Sequence, residues 1–246
     1  MNLFKKLTSV TGDDTIEFLC YPEDKGIIPE PIPSRKFIPD WFKRLQPKLY
    51  EDENRSGGGG LKSSTIKRCP PFLDAMTTGW LIPLAADVEF KTNEDASGLD
   101  YRWEFNKIMV ENHGDNQVTG NPKSHMPPLK WLNYWAIKVP PGWSVLFVPP
   151  LNRPNPHFEC LSGFVDCDGY FEFVNFPFHF HTPMFEGIIP AGTPLIQAIP
   201  IKRDMLMKDY TNRPMTEEEL TDLDRTRAKV RVHESHYRDN VWDRAK

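Results

Sequence analysis

"VPPGWSVLFVPP" (139–150) and "IPAGTPLIQAIP" (189–200) are the stretches on which the fold turns. Each opens with a β-branched residue and proline, reaches a glycine two positions later, continues as an apolar strand and closes on proline. Glycine supplies the left-handed φ that a tight turn requires, here at Gly142 and Gly192. Both segments therefore read as a turn that launches an inward-facing strand, and the pair reads as equivalent strands of one β body.

Six further runs around them have strand composition: 80–90, 99–106, 107–112, 129–139, 157–167 and 169–180. The chain holds 16 Phe, 7 Trp and 7 Tyr, and 24 Pro against 15 Gly. Aromatics favour strands, and prolines are kept out of paired central strands, so short strands separated by proline turns are expected. The aromatics Trp103, Trp131, Trp135, Trp143, Phe147, Phe171, Phe173, Phe176 and Phe178 recur with strand periodicity and are read as core. The expectation is a mainly β fold, a barrel or jelly-roll-like sandwich, over residues 65–205.

Residues 1–64 read as an extension: a first strand in 15–22, a proline-rich arm, and the Gly-rich "EDENRSGGGGLKSS" (51–64) as a mobile loop or linker. That run lacks the spacing of a phosphate loop. Within the arm Phe37, Ile38, Trp41, Phe42 and Leu45 have helical spacing, with Pro39 suited to the first turn. Residues 206–246 read as a charged α-helix. Thr216 followed three positions later by Glu219 makes a capping box, and Leu220, Leu223, Val230, Tyr237 and Val241 form a thin apolar stripe suited to a partner surface.

Lys plus Arg total 30 against 34 Asp plus Glu, a net charge of −4, which argues against nucleic acid as partner. No apolar run approaches the roughly 20 residues of a membrane span, and "MNLFKKLTSV" lacks the apolar core of a signal peptide. A soluble intracellular protein is expected. Cys20, Cys69, Cys160 and Cys167 form no C-x-x-C pair, and the last two read as small buried apolar residues.

Two constellations carry possible chemistry. In "HFHTPMFEG" (179–187), His179 and His181 fall on one face of a strand and Glu186 follows after four residues. This H-x-H-x4-E spacing resembles the first metal motif of cupins. The resemblance implies a cupin-like barrel binding iron or manganese, with His157 as a possible third histidine. Phe173 stands where that motif has a glycine, and the second motif's histidine is missing from "PAGTPLIQ". Without that reading no cofactor is expected.

The order "VPPGWSVLFVPP", "LSGFVDCDGYFEFVNFP" and "IPAGTPLIQAIPI" resembles dUTPases and dCTP deaminases. It implies a nucleotide site in which Asp166 and Tyr170 are the catalytic candidates, Asp166 as the water-activating or sugar-binding carboxylate and Tyr170 as a base-stacking ring. Arg153 would meet a phosphate, and Gln197 would match the glutamine of the closing strand.

Over most of residues 15–205, "PIPSRKFIPDWFK", "TIKRCPPFLDAMTTGW", "PPGWSVLFVPPLNRP", "GFVDCDGYFEFVNFPF" and "IPAGTPLIQAIPIKRD" resemble an uncharacterised family of tailed-phage and bacterial proteins. That resemblance implies a phage origin and no particular activity. An arm and a helix attached to a β body suit docking onto neighbours. The function expected first is therefore non-catalytic: an oligomeric protein that binds itself or other viral proteins through both extensions, in the host cytoplasm or the virion. A cupin-like metal enzyme and a degenerate dUTPase-like nucleotide binder stand as alternatives.

Overall fold

The computed structural model describes residues 15–49, 63–114, 117, 120, 129–233 and 235–243. The expectations for the N-terminal ten residues and for the glycine run of 51–62 lie outside the described residues. The chain forms two compact units, each discontinuous in sequence: Met1–Phe37 with Thr78–Leu206, and Ile38–Thr77 with Met207–Lys246.

The strands in chain order are β1 (Glu17–Leu19), β2 (Ile32–Pro33), β3 (Lys48–Leu49), β4 (Ser63–Ser64), β5 (Trp80–Pro83), β6 (Val88–Thr92), β7 (Leu99–Arg102) and β8 (Val110–Asn112). They continue as β9 (Leu129–Trp131), β10 (Ala136–Lys138), β11 (Trp143–Val148), β12 (Phe158–Cys160), β13 (Gly163–Val165), β14 (Phe176–Phe180), β15 (Glu186–Ile189) and β16 (Pro194–Lys202). The helices are α1 (Asp40–Arg44), α2 (Pro70–Thr77), α3 (Glu217–Val232) and α4 (His236–Asn240). Among the described residues no helix is long and apolar enough to cross a membrane.

The first unit is built of antiparallel sheets ordered β13-β11-β16-β5-β2, β12-β14-β9-β8 and β15-β6-β7, with β1 paired to β10. The fold is mainly β, and the described strands close no barrel. The inward side chains of these sheets meet in one core. Val145, Phe147 and Ile196 come from the first sheet, Trp131, Phe176, Phe178 and Phe180 from the second, and Val88, Phe90 and Ile189 from the third. Of the aromatic series, Phe171 instead points to solvent at 58% exposure.

The two echoing segments are direct neighbours. β11 and β16 pair antiparallel from Trp143↔Lys202 to Val148↔Gln197. Each is launched by the same turn, in which Trp143 N donates to Pro140 O (3.2 Å) and Thr193 N donates to Pro190 O (3.1 Å). Gly142 and Gly192 carry φ of 87° and 82°, as the second central residue of such a turn requires.

Several runs read as single strands are split between sheets. Residues 80–90 give β5 and β6, parted where Leu84 N donates to Thr193 O (2.8 Å) and Leu84 O accepts from Gly192 N (2.8 Å). Residues 129–139 give β9 and β10, parted at Asn133. Its side chain accepts from Trp135 N (3.0 Å) and donates to Trp135 O (2.7 Å), in place of ladder partners. Residues 157–167 give β12 and β13, and 169–180 yield only β14. The Asp168-Gly169 pair forms a turn closed by Gly169 N and Tyr170 N donating to Asp166 O (3.0 Å each), without a returning strand.

In the second unit α1 is only five residues long. Of its apolar stripe Phe42 is buried, while Trp41 stays 46% exposed. Phe42 stacks on Phe72 with ring centres 5.8 Å apart. Lys67 places its ammonium 4.7 Å from the Phe42 ring centre and donates to Phe42 O (2.7 Å) and Lys43 O (3.2 Å), capping the carbonyl end of α1. The capping box at α3 is present in both directions: Glu219 N donates to Thr216 Oγ1 (3.2 Å) and Thr216 N to Glu219 Oε2 (2.8 Å). The Trp242 indole N–H donates to the Asp74 carboxylate (2.9 and 3.1 Å), tying the segment after α4 to α2.

Candidate functional site

β14 alternates as its period demands. Phe176, Phe178 and Phe180 face the core, which leaves His179 and His181 on the opposite face. Its partner β12 sets Glu159 directly opposite His179, and His181 N donates to His157 O (2.8 Å), so the ladder continues with His157 opposite His181. His157, Glu159, His179 and His181 thus share one face of two adjacent strands. Glu159 escaped the sequence reading. Its signal was there in the two-residue spacing from His157, but it has meaning only once the register of β12 against β14 is known.

The hydrogen bonds assign the tautomers of two rings. Thr182 Oγ1 donates to Pro156 O (3.0 Å), so His157 Nδ1, 3.2 Å from Thr182 Oγ1, is the donor there. His181 Nε2 donates to Pro156 O (3.1 Å). Burial first, and the neighbouring His181 second, hold the His157 pKa below the usual imidazole value. His157 lies against the Phe185 ring at 4.5 Å between centres, and His179 is buried at 1% exposure.

Glu186 does not return to this face. After β14 the chain turns through Met184 at φ 51°, where Met184 N donates to Asn93 O (2.9 Å) and Phe185 N to Thr92 Oγ1 (2.8 Å). Thr92 Oγ1 also donates to Thr182 O (2.8 Å). These bonds deliver β15 to β6, in another sheet, where Glu186 stands opposite Lys91 and pairs with its ammonium at 2.9 Å. Among the described residues no group of three or more His, Cys, Asp or Glu side chains is placed to hold a metal ion. Iron or manganese chemistry through His179, His181 and Glu186 therefore has no assembled ligand set.

His181 and Glu159 do border a pocket of about 500 Å³ at the exit of β11. Pro150, Leu151, Phe158 and Leu195 give it apolar walls, and Asn152, Asn155 and Ser162 add hydrogen-bonding groups. Asn152 adopts a left-handed φ of 59°, which asparagine tolerates better than most residues.

The nucleotide candidates fall at opposite ends of one sheet. Arg153 is buried at 8% exposure and donates to the carbonyls of Ser34 (3.4 Å) and Phe37, fastening the N-terminal arm. Burial lowers its pKa to about 10. Gln197, fully buried, accepts from Leu151 N (2.9 Å) and donates to Thr78 O (2.6 Å). Asp166 instead accepts from Ser144 Oγ (2.6 Å), whereas Gln197 stands opposite Val148. Ser144 and Val148 are four strand positions apart, roughly 13 Å at about 3.3 Å per residue. Tyr170 is half exposed beyond Asp166. These candidates are thus spread along β11 and not gathered at one end of the sheet.

No family model and no curated protein matches the chain.

The polar cluster around Asp166 is structural in its bonding. Arg203 donates to Asp168 through Nη1 and Nη2 (3.0 and 2.6 Å) and to Ser144 Oγ (3.0 Å), and Gly142 N donates to Asp168 Oδ2 (2.8 Å). Asp168 thereby clamps the Gly142 turn to the end of β16. The hydrogen bond from Arg203 is the largest cause holding the Asp168 pKa below the usual carboxylate value. A carboxylate depressed in the folded state contributes stability above its unfolded pKa and loses it as pH falls through its folded pKa. Asp168→Asn is expected to cost about 1.5–3 kcal/mol at neutral pH by losing charge-assisted bonds. Urea titrations of both proteins should show that gap shrinking below the ordinary carboxylate range; a gap constant with pH would contradict the assignment.

All four cysteines are free thiols. Burial raises the Cys160 pKa strongly and that of Cys167 to about 11, so neither is poised as a thiolate nucleophile.

Proposed function

We propose that this chain is a non-catalytic phage protein that binds proteins, itself included, during particle assembly or host takeover, in the host cytoplasm or the virion. One observation carries the reading: an exposed segment, 205–215, in which five large apolar side chains are interspersed with polar ones, leads into a helix with no buried residue. Met205, Leu206, Met207, Tyr210 and Met215 are exposed at 75%, 45%, 95%, 86% and 55%. None of the 16 residues of α3 is buried. Helices of this length are marginal in water without a packed face, and large apolar side chains left exposed at short intervals along the chain suit an interaction site. The resemblance to tailed-phage proteins supplies the setting.

The β unit is read within this proposal as a jelly-roll-like sandwich, supported by three sheets feeding one core. The catalytic alternatives lack support from the geometry. Glu186 is engaged by Lys91, Arg153 by the arm, and Gln197 by Leu151 and Thr78.

Light scattering on the full chain over a wide concentration range tests the reading. The native protein is expected to exceed monomer mass. A Met207→Ser, Tyr210→Ser, Met215→Ser variant, altered only at exposed positions, should move toward monomer. Equal masses for the two proteins would count against this stretch as the interface.

A further inference from the structure

We propose that α3 pairs antiparallel with α3 of a second copy of this chain, an inference that rests on the assembly reading and names its partner. The charge layout carries it. Glu217, Glu218, Glu219, Asp222 and Asp224 occupy the first half of the helix, and Arg225, Arg227, Lys229 and Arg231 the second. Two such helices side by side and parallel set like charges together. Antiparallel, each acidic half lies along the other's basic half.

The apolar positions agree with that arrangement. Leu220, Leu223, Arg227 and Val230 follow the alternating three- and four-residue spacing of a coiled-coil seam. A two-fold axis near Arg225 sets Leu220 of one copy against Val230 of the other, and Leu223 against the aliphatic stem of Arg227. Leu220 and Val230 are each about half exposed in the single chain, at 48% and 49%. The contact is self-complementary and closes at two copies, since every residue meets its counterpart through the same axis. Existing ion pairs within the helix, Arg225 with Asp222 (2.8 Å) and Arg227 with Asp224 (3.6 Å), are exposed and weak enough to rearrange. A nucleic acid would be repelled by the acidic half, and the seam is too narrow to hold a membrane surface.

The test uses two full-length variants that leave Thr216 and Glu219, and hence the capping box, intact. The acidic variant carries Arg225→Glu, Arg227→Glu, Lys229→Glu and Arg231→Glu. The basic variant carries Glu217→Lys, Glu218→Lys, Asp222→Lys and Asp224→Lys. Each alone is expected at monomer mass by light scattering, and an equimolar mixture at twice that mass. The native chain, with no substitution to disturb its folding, should lose mass as salt is raised. Variants that keep the native mass on their own, or a native mass indifferent to salt, would overturn the pairing. If the pairing fails in this way while the serine variant of the 207–215 stretch still loses mass, the assembly reading stands; a native chain that is monomeric throughout removes both.

Discussion

Lys107→Met is expected to destabilise the β unit by about 3–5 kcal/mol, the usual cost of removing one partner from a buried ion pair. The Lys107 ammonium meets the Asp24 carboxylate, with side chains only 18% and 4% exposed. It also lies 4.6 Å from the ring centre of Tyr21 and 5.2 Å from that of Tyr134. Burial is the main cause raising the Tyr134 pKa to about 12, so that ring stays neutral at physiological pH. Methionine keeps most of the volume and loses the charge, which leaves Asp24 buried without a counter-ion. The compensating pair Asp24→Leu with Lys107→Met should recover most of the loss, because an apolar pair carries no unpaired charge. Thermal and urea unfolding of the two variants decide the matter; equal stabilities for the single and double variants would show that charge is not what matters there.

Trp131→Ala should cost a similar amount, about 3–5 kcal/mol, the range for deleting a large buried aromatic ring. Trp131 is fully buried, stacked on Phe178 with ring centres 4.3 Å apart, and edge-on to Phe158 at 5.3 Å and Phe90 at 5.6 Å. It joins aromatics from two sheets, so its loss opens a cavity that no single strand can close by shifting. Trp131→Phe is expected to lose far less. It preserves the stacking and removes a buried indole N–H that finds no hydrogen-bond partner among the described residues, itself a cost to the native fold. A phenylalanine variant as unstable as the alanine one would mean that the indole N–H is satisfied in solution, contrary to the packing described.

The local features of this chain were legible because each depends on a few adjacent residues. The Pro-x-Gly turns at Gly142 and Gly192, the Thr216–Glu219 capping box, the shared face of His179 and His181, and the burial of Cys160 and Cys167 all follow from local geometry or composition. What failed was continuity. The runs 80–90 and 129–139 looked unbroken because residues at a sheet-to-sheet crossing can be as apolar as those in a strand. Leu84 shows no sign in sequence that its backbone will bond to the Gly192 turn. Likewise, nothing near the Asp168-Gly169 turn reveals in sequence that Asp168 is held by Arg203.

The sequence by itself determined a β-rich body with aromatic strands, proline-bounded turns and a capped, charged C-terminal helix, because periodicity, turn chemistry and capping act within a few residues. Only the tertiary structure decided which candidate residues meet. Strand register set Glu159 beside His179 and left Asp166 and Gln197 about four positions apart along β11. The Thr92 hydroxyl, ninety positions from Thr182 in sequence, helps to deliver Glu186 to another sheet, where it pairs with Lys91. Such contacts join parts of the chain that share no local pattern, and they turned a spacing that suggested a metal site into two adjacent strands bearing His157, Glu159, His179 and His181.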